Sequence, residues 1–278
     1  MSRLPLVVAV RAAKAGGRVL LGRLGTLRES EIRKKGQSDW VTQADHASER
    51  VIIATIRRAF PDHSIRAEES GISQTESQWE WIIDPLDGTT NFMHRFPMFS
   101  VSIGLRYRER LEAGVVYDPL RKDLFTAQRG KGAYLNGKRI HVAKQSRMED
   151  AMLATGFPFR AKHYMDVYLE SFRAVFQITG SIRRAGSAAL DLAYTACGRL
   201  DGFWEMGLLP WDMAAGALLI KEAGGRVTDF FGKDTYMETG NILAGPPVLQ
   251  KALLKKMFPI FERHRKATGF RAVTLINS

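Results

Sequence analysis

The sequence predicts an α+β fold built in layers, ordered helix, sheet, helix, sheet, helix. Three patterns predict it: an opening segment of helical period, a set of alternating apolar runs with glycine-rich turns, and a second half in which helical and strand-like segments take turns. Leu4, Val7, Val8, Ala12, Ala15, Val19 and Leu20 recur at helical spacing, with Gly16-Gly17 as a weak point. A second helix is expected over about 44–59, stopped by Pro61, followed by a strand at 63–67. The apolar run 79–83 reads as another strand. Runs at 99–107, 113–117 and 123–128, with turns at Gly130, Gly132 and Gly137, read as an antiparallel meander. Helices are expected at 162–177, 188–197, 212–223 and 247–264, alternating with strands near 151–155, 181–184, 201–205, 225–228 and 241–244. The tail after about Arg265 lacks periodicity, which predicts disorder. A chain of 278 residues can bury a large core, as one domain whose halves span about 1–145 and 146–265.

The chemistry concentrates in Trp81-Ile82-Ile83-Asp84-Pro85-Leu86-Asp87-Gly88-Thr89-Thr90-Asn91-Phe92. An apolar run ends on one aspartate, and a second follows across Pro85. Proline removes a backbone donor, so the strand is expected to stop there, and Gly88 permits a sharp turn. Two carboxylates on a stiff turn suit hard cations, which prefer oxygen ligands. Thr89, Thr90 and Asn91 read as the start of a helix, whose N–H groups would favour a phosphate. The alternative is a plain strand, turn and capped helix, since Asp-Pro and Asp-Gly are common turn pairs.

Two further acidic segments favour the metal reading. Glu68-Glu69 follow the strand at 63–67 and precede Gly71, although adjacent glutamates more often form a solvated loop. Asp212 stands where a helix N-cap belongs, before the apolar run Ala214 to Ile220. Glu68, Asp84, Asp87 and Asp212 together make an all-oxygen set for Mg²⁺, and no histidine or cysteine cluster argues for zinc.

These segments resemble the inositol monophosphatase family. The likeness runs from about residue 5 to about 262; it includes the first motif, Trp81 to Phe92, the second, Trp211 to Gly216, the pair Glu68-Glu69, and Asp39 to Asp45. Trp204 to Asp212 is most similar to the bacterial branch, extragenic-suppressor type included, with Leu209 near the place where animal enzymes usually carry histidine. The resemblance implies the layered sandwich of sugar phosphatases and a lithium-sensitive, magnesium-dependent, dimeric hydrolase; the cytoplasmic expectation comes instead from the lone cysteine and the short, charged N-terminal run. It implies metal ligands Glu68, Asp84, Asp87, Asp212 and the Leu86 carbonyl. Two metals about 4 Å apart can activate a water and stabilise the attacking and leaving oxygens. By the same resemblance Thr89 orients the water, Asp45 supports Thr89, and Glu69 helps to position or deprotonate the water. Glu68, Leu86, Asp87, Gly88, Thr89 and Asp212 would also face the substrate, with Gly186, Ser187, Ala188 and Glu205 at its hydroxyls. Ser187 is equally well read as a helix N-cap, and Lys34 as either a mobile lysine near the metals or a solvated one.

The expected reaction is hydrolysis of a small phosphorylated sugar or cyclitol, myo-inositol monophosphate first. Fructose 1,6-bisphosphate, NADP or another nucleotide phosphate are alternatives that Arg183 and Arg184 keep open. A different class of role is also implied: bacterial suppressor-type members act with the transcription machinery in ribosomal RNA synthesis, so contact with RNA polymerase or RNA is the alternative to a purely enzymatic function.

Composition constrains the rest. Net charge is +12, carried as +7 in residues 1–36 and +6 in residues 251–278, with −1 between. Basic ends suit an anionic partner, or are simply solvated helix faces. The single cysteine, Cys197, excludes an internal disulfide and is expected to be a buried thiol in a reducing compartment. The apolar run Leu4 to Val10 is too short and too closely followed by Arg11 and Lys14 for a signal peptide or membrane span.

Overall fold

Two large sheets, a separate two-stranded sheet and three helical layers carry the chain, in a computed structural model that describes residues 4–36 and 39–268. Helix α1 (Leu4–Arg23) leads to the hairpin β1 (Ile32–Gly36) and β2 (Asp39–Thr42), then to α2 (Gln43–Ala59). Next come β3 (Ser64–Ala67), β4 (Gly71–Ser73), β5 (Trp79–Asp87) and the short α3 (Thr89–Met93). The meander is β6 (Ser100–Tyr107), β7 (Arg110–Asp118), β8 (Asp123–Gln128), β9 (Gly132–Leu135) and β10 (Lys138–Ile140). The second half runs β11 (Met152–Thr155), α4 (Met165–Phe176), β12 (Ser181–Arg183), α5 (Ala188–Ala196), β13 (Gly202–Glu205) and α6 (Pro210–Glu222). It closes with β14 (Arg226–Thr228), α7 (Tyr236–Thr239), β15 (Ile242–Gly245) and α8 (Pro247–Thr268).

The first sheet has eight strands in the order β10-β9-β8-β7-β6-β5-β3-β4, antiparallel except for β3 beside β5. The second has five, β12-β11-β13-β15-β14, and is mixed. Helices α1 and α2 cover the outer face of the first sheet, and α4 and α8 that of the second. Between the sheets lie α5 and α6, whose buried residues join both inner faces in one core. The alternation of β5 serves both cores: Trp81 and Ile83 pack under α1 and α2, while Ile82 packs toward α6. Asp84, two residues on, therefore leaves the strand on the side of α6.

Helix α6 approaches the first sheet very closely. Gly104 of β6 and Gly114 of β7 are paired in register. A Cβ at Gly104 would stand 2.8 Å from the Ala214 Cβ, and one at Gly114 2.9 Å from the Ala215 carbonyl oxygen. Glycine opposite alanine thus lets the helix backbone sit on the strands, which carries Asp212 to the end of β5.

Several expectations need correction. Strand β5 does not stop at Pro85. Asp84 pairs with Ser102 and Asp87 with Ser100, and the register shifts between them, so proline occupies a bulge where its missing donor is tolerated. Asp212 is the third residue of α6, not its N-cap, because Pro210 takes the first helical position. Gly16-Gly17 is not a weak point. Added Cβ atoms there would meet Ser48 and Ile52 of α2, and Tyr117 of β7, at 2.7–2.8 Å, so the pair is where α1 packs most closely. Helix α8 continues through Pro259 to Thr268; the rest of the predicted tail lies outside the described residues. Cys197 is half-buried, with its thiol 3.5 Å from the Tyr194 carbonyl. Helices α1 and α8, which carry the described parts of the basic ends, belong to opposite outer layers. Among the described residues no helix is long and apolar enough to cross a membrane.

Candidate metal centre

The carboxyl end of β5, the start of α6 and the segment 155–160 enclose a cavity of about 450 Å³. Carboxylate oxygens of Asp84, Asp87 and Asp212 lie within 4.8 Å of one another there. One oxygen of each is held by a donor. The Leu86 N–H donates to Asp84 Oδ1 at 2.9 Å, and the Leu209 N–H to Asp212 Oδ2 at 2.7 Å. Asp87 Oδ2 accepts from the Ser187 hydroxyl at 2.5 Å and the Ala189 N–H at 2.9 Å. Ser187 is also the N-cap of α5 and accepts from the Leu190 N–H at 3.4 Å, so both readings of it hold.

Asp84 and Asp87 are buried close to other acids, so their charged forms are disfavoured. Burial first, then the charges of Glu68, Asp87 and Asp212, push Asp84 well above the usual carboxylate range. Burial and Asp212 push Asp87 up to about 7, against the donors Ser187 and Ala189. A hard divalent cation relieves this strain, and an all-carboxylate donor set is what such a cation takes. The residues therefore fit Mg²⁺. Glu68 lines the same cavity, and its Oε1 is 3.7 Å from Arg160 Nη2; Leu86 lines it as well.

Thr89 sits one residue beyond Gly88, whose φ of +95° turns the chain into α3. Its hydroxyl lies 2.9 Å from Asp45 Oδ1 and 3.1 Å from the Leu86 carbonyl. Asp45 Oδ2 meanwhile accepts from the Thr42 N–H at 2.8 Å and the Thr42 hydroxyl at 2.6 Å, while Thr42 accepts from the Ala44 N–H at 3.0 Å. Asp45 is thus both half of the capping box of α2 and the support of Thr89. Glu69 stands apart from the cavity wall, and its N–H donates to Glu49 Oε2 at 2.9 Å.

On the far wall, Gly186, Ser187, Ala188 and Glu205 line the cavity. Gly156 packs on Glu205 so closely that a Cβ would stand 2.0 Å from its carboxyl. Burial raises Glu205 to about 8 against the pull of Arg184. The native chain then keeps a proton that the unfolded chain releases, and stability falls as pH rises from about 4.5 toward 8. In EDTA, Glu205→Gln is expected to raise the melting temperature relative to wild type by an amount that grows between pH 5 and pH 8. A difference independent of pH would remove the assigned proton.

Sequence reasoning missed three contributors. Asn91 donates from Nδ2 toward the carbonyls of Met98 (2.7 Å) and Ala185 (2.9 Å), tying the first motif to the loop that presents Ser187. Arg160 Nη1 is 3.3 Å from Asp212 Oδ2. Phe157 and Phe159 lie under the Arg184 guanidinium at 5.7 and 5.0 Å. The only hint in the chain was a Gly-Phe-Pro-Phe run after a strand. Of the paired arginines, Arg184 reaches the cavity, whereas Arg183 is exposed and bonds to the Ile182 carbonyl at 3.2 Å. Lys34 and Trp40 of the hairpin also line the cavity.

The model of the inositol monophosphatase family matches residues 4–265. A protein named Nus factor SuhB from Salmonella typhimurium (strain LT2) is 52% identical over 253 residues, 91% of this chain and 95% of that protein. The crystal structure of extragenic suppressor protein suhB from Bartonella henselae superposes with a TM-score of 0.87 at 42% identity, covering 91% of this chain and 98% of that one. An inositol monophosphatase from Anabaena gives 0.83 at 42% identity, with coverage of 92% and 96%.

Proposed function

The chain belongs to the inositol monophosphatase family, and from that premise we propose that its cavity hydrolyses small phosphate monoesters with Mg²⁺. The observation that supports this most is the convergence of Asp84, Asp87 and Asp212 within 4.8 Å beside the Thr89–Asp45 pair. Bound cations supply charge neutralisation and water activation. Glu68, Asp84, Asp87, Asp212 and the Leu86 carbonyl hold them. The Thr89 hydroxyl donates a hydrogen bond to Asp45 Oδ1, leaving its lone pairs to accept from and aim an attacking water. Glu69 serves at most through the loop that carries Glu68, given its place off the cavity wall. Glu205 and the backbone of Gly186 and Ala188 face the alcohol part of the substrate. The Ser187 hydroxyl is committed to Asp87, so its part is to position that ligand. Myo-inositol monophosphate suits a compact polar pocket, whereas Arg184 favours substrates with a second anionic group.

Phosphate release from inositol 1-phosphate, fructose 1,6-bisphosphate, NADP and adenosine 3′,5′-bisphosphate, each with Mg²⁺, EDTA or added Li⁺, tests the reading. Mg²⁺-dependent, Li⁺-sensitive turnover of any of them is the expected result, and the fastest names the substrate. Turnover of none would defeat it.

A second reading has support of its own. Relatives about half identical over nine-tenths of the chain carry the name Nus factor, which favours a transcription role more directly than it favours inositol phosphate as the substrate. We propose that the chain also acts as such a factor, a cytoplasmic protein, dimeric by family habit, in contact with RNA polymerase or RNA. Such contact is expected to survive Asp87→Asn and to be weakened by salt. Absence of binding to either near physiological salt would remove this role.

A further inference from the structure

We infer that Arg160 is a built-in counter-ion that competes with the divalent cation for Glu68 and Asp212 and passes to the phosphate when one enters. The inference rests on the phosphatase reading of the cavity and concerns how that site is regulated. One guanidinium spans two carboxylates from different parts of the fold. Its Nη2 is 3.7 Å from Oε1 of Glu68, which follows β3, and its Nη1 is 3.3 Å from Oδ2 of Asp212 on α6. Both contacts are longer than the ~2.7–2.9 Å of a tight charge-assisted pair.

Arg160 lies in a 3₁₀ turn, Phe159–Tyr164, entered through Pro158, with Ala161 buried at a kink beside it. Phe157 packs edge-on against Phe159 and Tyr168. The Arg160 side chain is 31% exposed, so it has room to move. Its departure leaves no orphan on α6, because the Leu209 N–H already holds Asp212 Oδ2 at 2.7 Å.

Two cations that draw on the same carboxylates oppose each other, and the opposition is reciprocal. Arg160 therefore weakens cation binding, and a bound cation loosens Arg160. A phosphate entering the cavity gives the displaced guanidinium a new, bidentate partner. Phosphate and cation then strengthen each other through this one side chain, which delays full loading of the centre until an anion is present.

The test is Mn²⁺ binding followed by electron paramagnetic resonance, without turnover, with and without inorganic phosphate. Arg160→Met is expected to bind Mn²⁺ about 5-fold or more tightly than wild type when phosphate is absent. Phosphate is expected to tighten Mn²⁺ binding severalfold in wild type and little in Arg160→Met. Arg160→Lys, which keeps the charge but cannot span both acids, should fall between them and also serves if the methionine variant folds poorly. Equal or weaker Mn²⁺ binding by both variants would overturn the inference while leaving the phosphatase reading intact. Wild-type protein with no Mn²⁺ site sensitive to Asp84→Asn would overturn both.

Discussion

Asp84→Asn is expected to lower Mg²⁺-dependent phosphate release by on the order of 10³-fold, the rate equivalent of losing several kcal/mol of metal-supplied stabilisation. Asp84 is the most enclosed of the ligands, and Glu68, Asp87 and Asp212 all act on its charge. Asparagine keeps the shape and can still accept the Leu86 N–H through Oδ1, so the change removes charge rather than packing. The variant should fold at least as well as wild type in EDTA, since it relieves repulsion among buried acids. A combined readout separates this from general damage: Mg²⁺ should raise the melting temperature of wild type and leave the variant where it was. The rise should also depend on pH. Folding raises Asp87 to about 7, so the metal-free protein loses stability as pH climbs from the ordinary carboxylate range through 7, while the carboxylates become available to the cation. Mg²⁺ should therefore stabilise more at pH 8 than at pH 5. A Mg²⁺-induced rise of equal size in the variant would show that the cation binds elsewhere.

Gly114→Val is expected to cost about 1–3 kcal/mol of stability and to damage the metal centre as well. A Cβ there would stand 2.9 Å from the Ala215 oxygen and 3.0 Å from its Cα, and backbone cannot swing aside as a side chain does. Helix α6 must lift from the first sheet, and Asp212 lies one turn earlier on that helix. Mn²⁺ affinity should fall along with the melting temperature. Gly22→Ala is the matched control: it lies in α1 with nothing within 4 Å of its added Cβ, and alanine favours helix. A Gly114→Val protein with unchanged Mn²⁺ affinity would mean that α6 does not set the position of Asp212.

Much of the architecture was legible because it follows short-range rules. The period of α1, the alternation through Trp81, Ile82 and Ile83, and the glycine turns of the meander placed the first sheet and put Asp84 near the carboxyl end of one of its strands. The spacing within Trp81 to Phe92 and Trp211 to Gly216 marked the candidate ligands Asp84, Asp87 and Asp212. Other features depended on contacts that no local pattern encodes. Gly16-Gly17 looks like a flaw until α2 and Tyr117 are packed against it. The hairpin β1–β2 is short and strongly polar on one strand, so apolar alternation did not reveal it. Arg160 reaches Asp212 across 52 residues and Asn91 reaches Ala185 across 94, distances over which sequence spacing carries no geometric information. The offset at Asp212 was smaller and has a clear cause: proline at the first helical position moved the helix start ahead of the aspartate.

The most direct measurement is anomalous diffraction from crystals of the wild-type chain soaked in Mn²⁺. The account requires anomalous density between the carboxylates of Asp84, Asp87 and Asp212, lost in crystals of Asp84→Asn. Density confined to other acidic groups, or none under conditions where Mn²⁺ supports phosphate release, would contradict it.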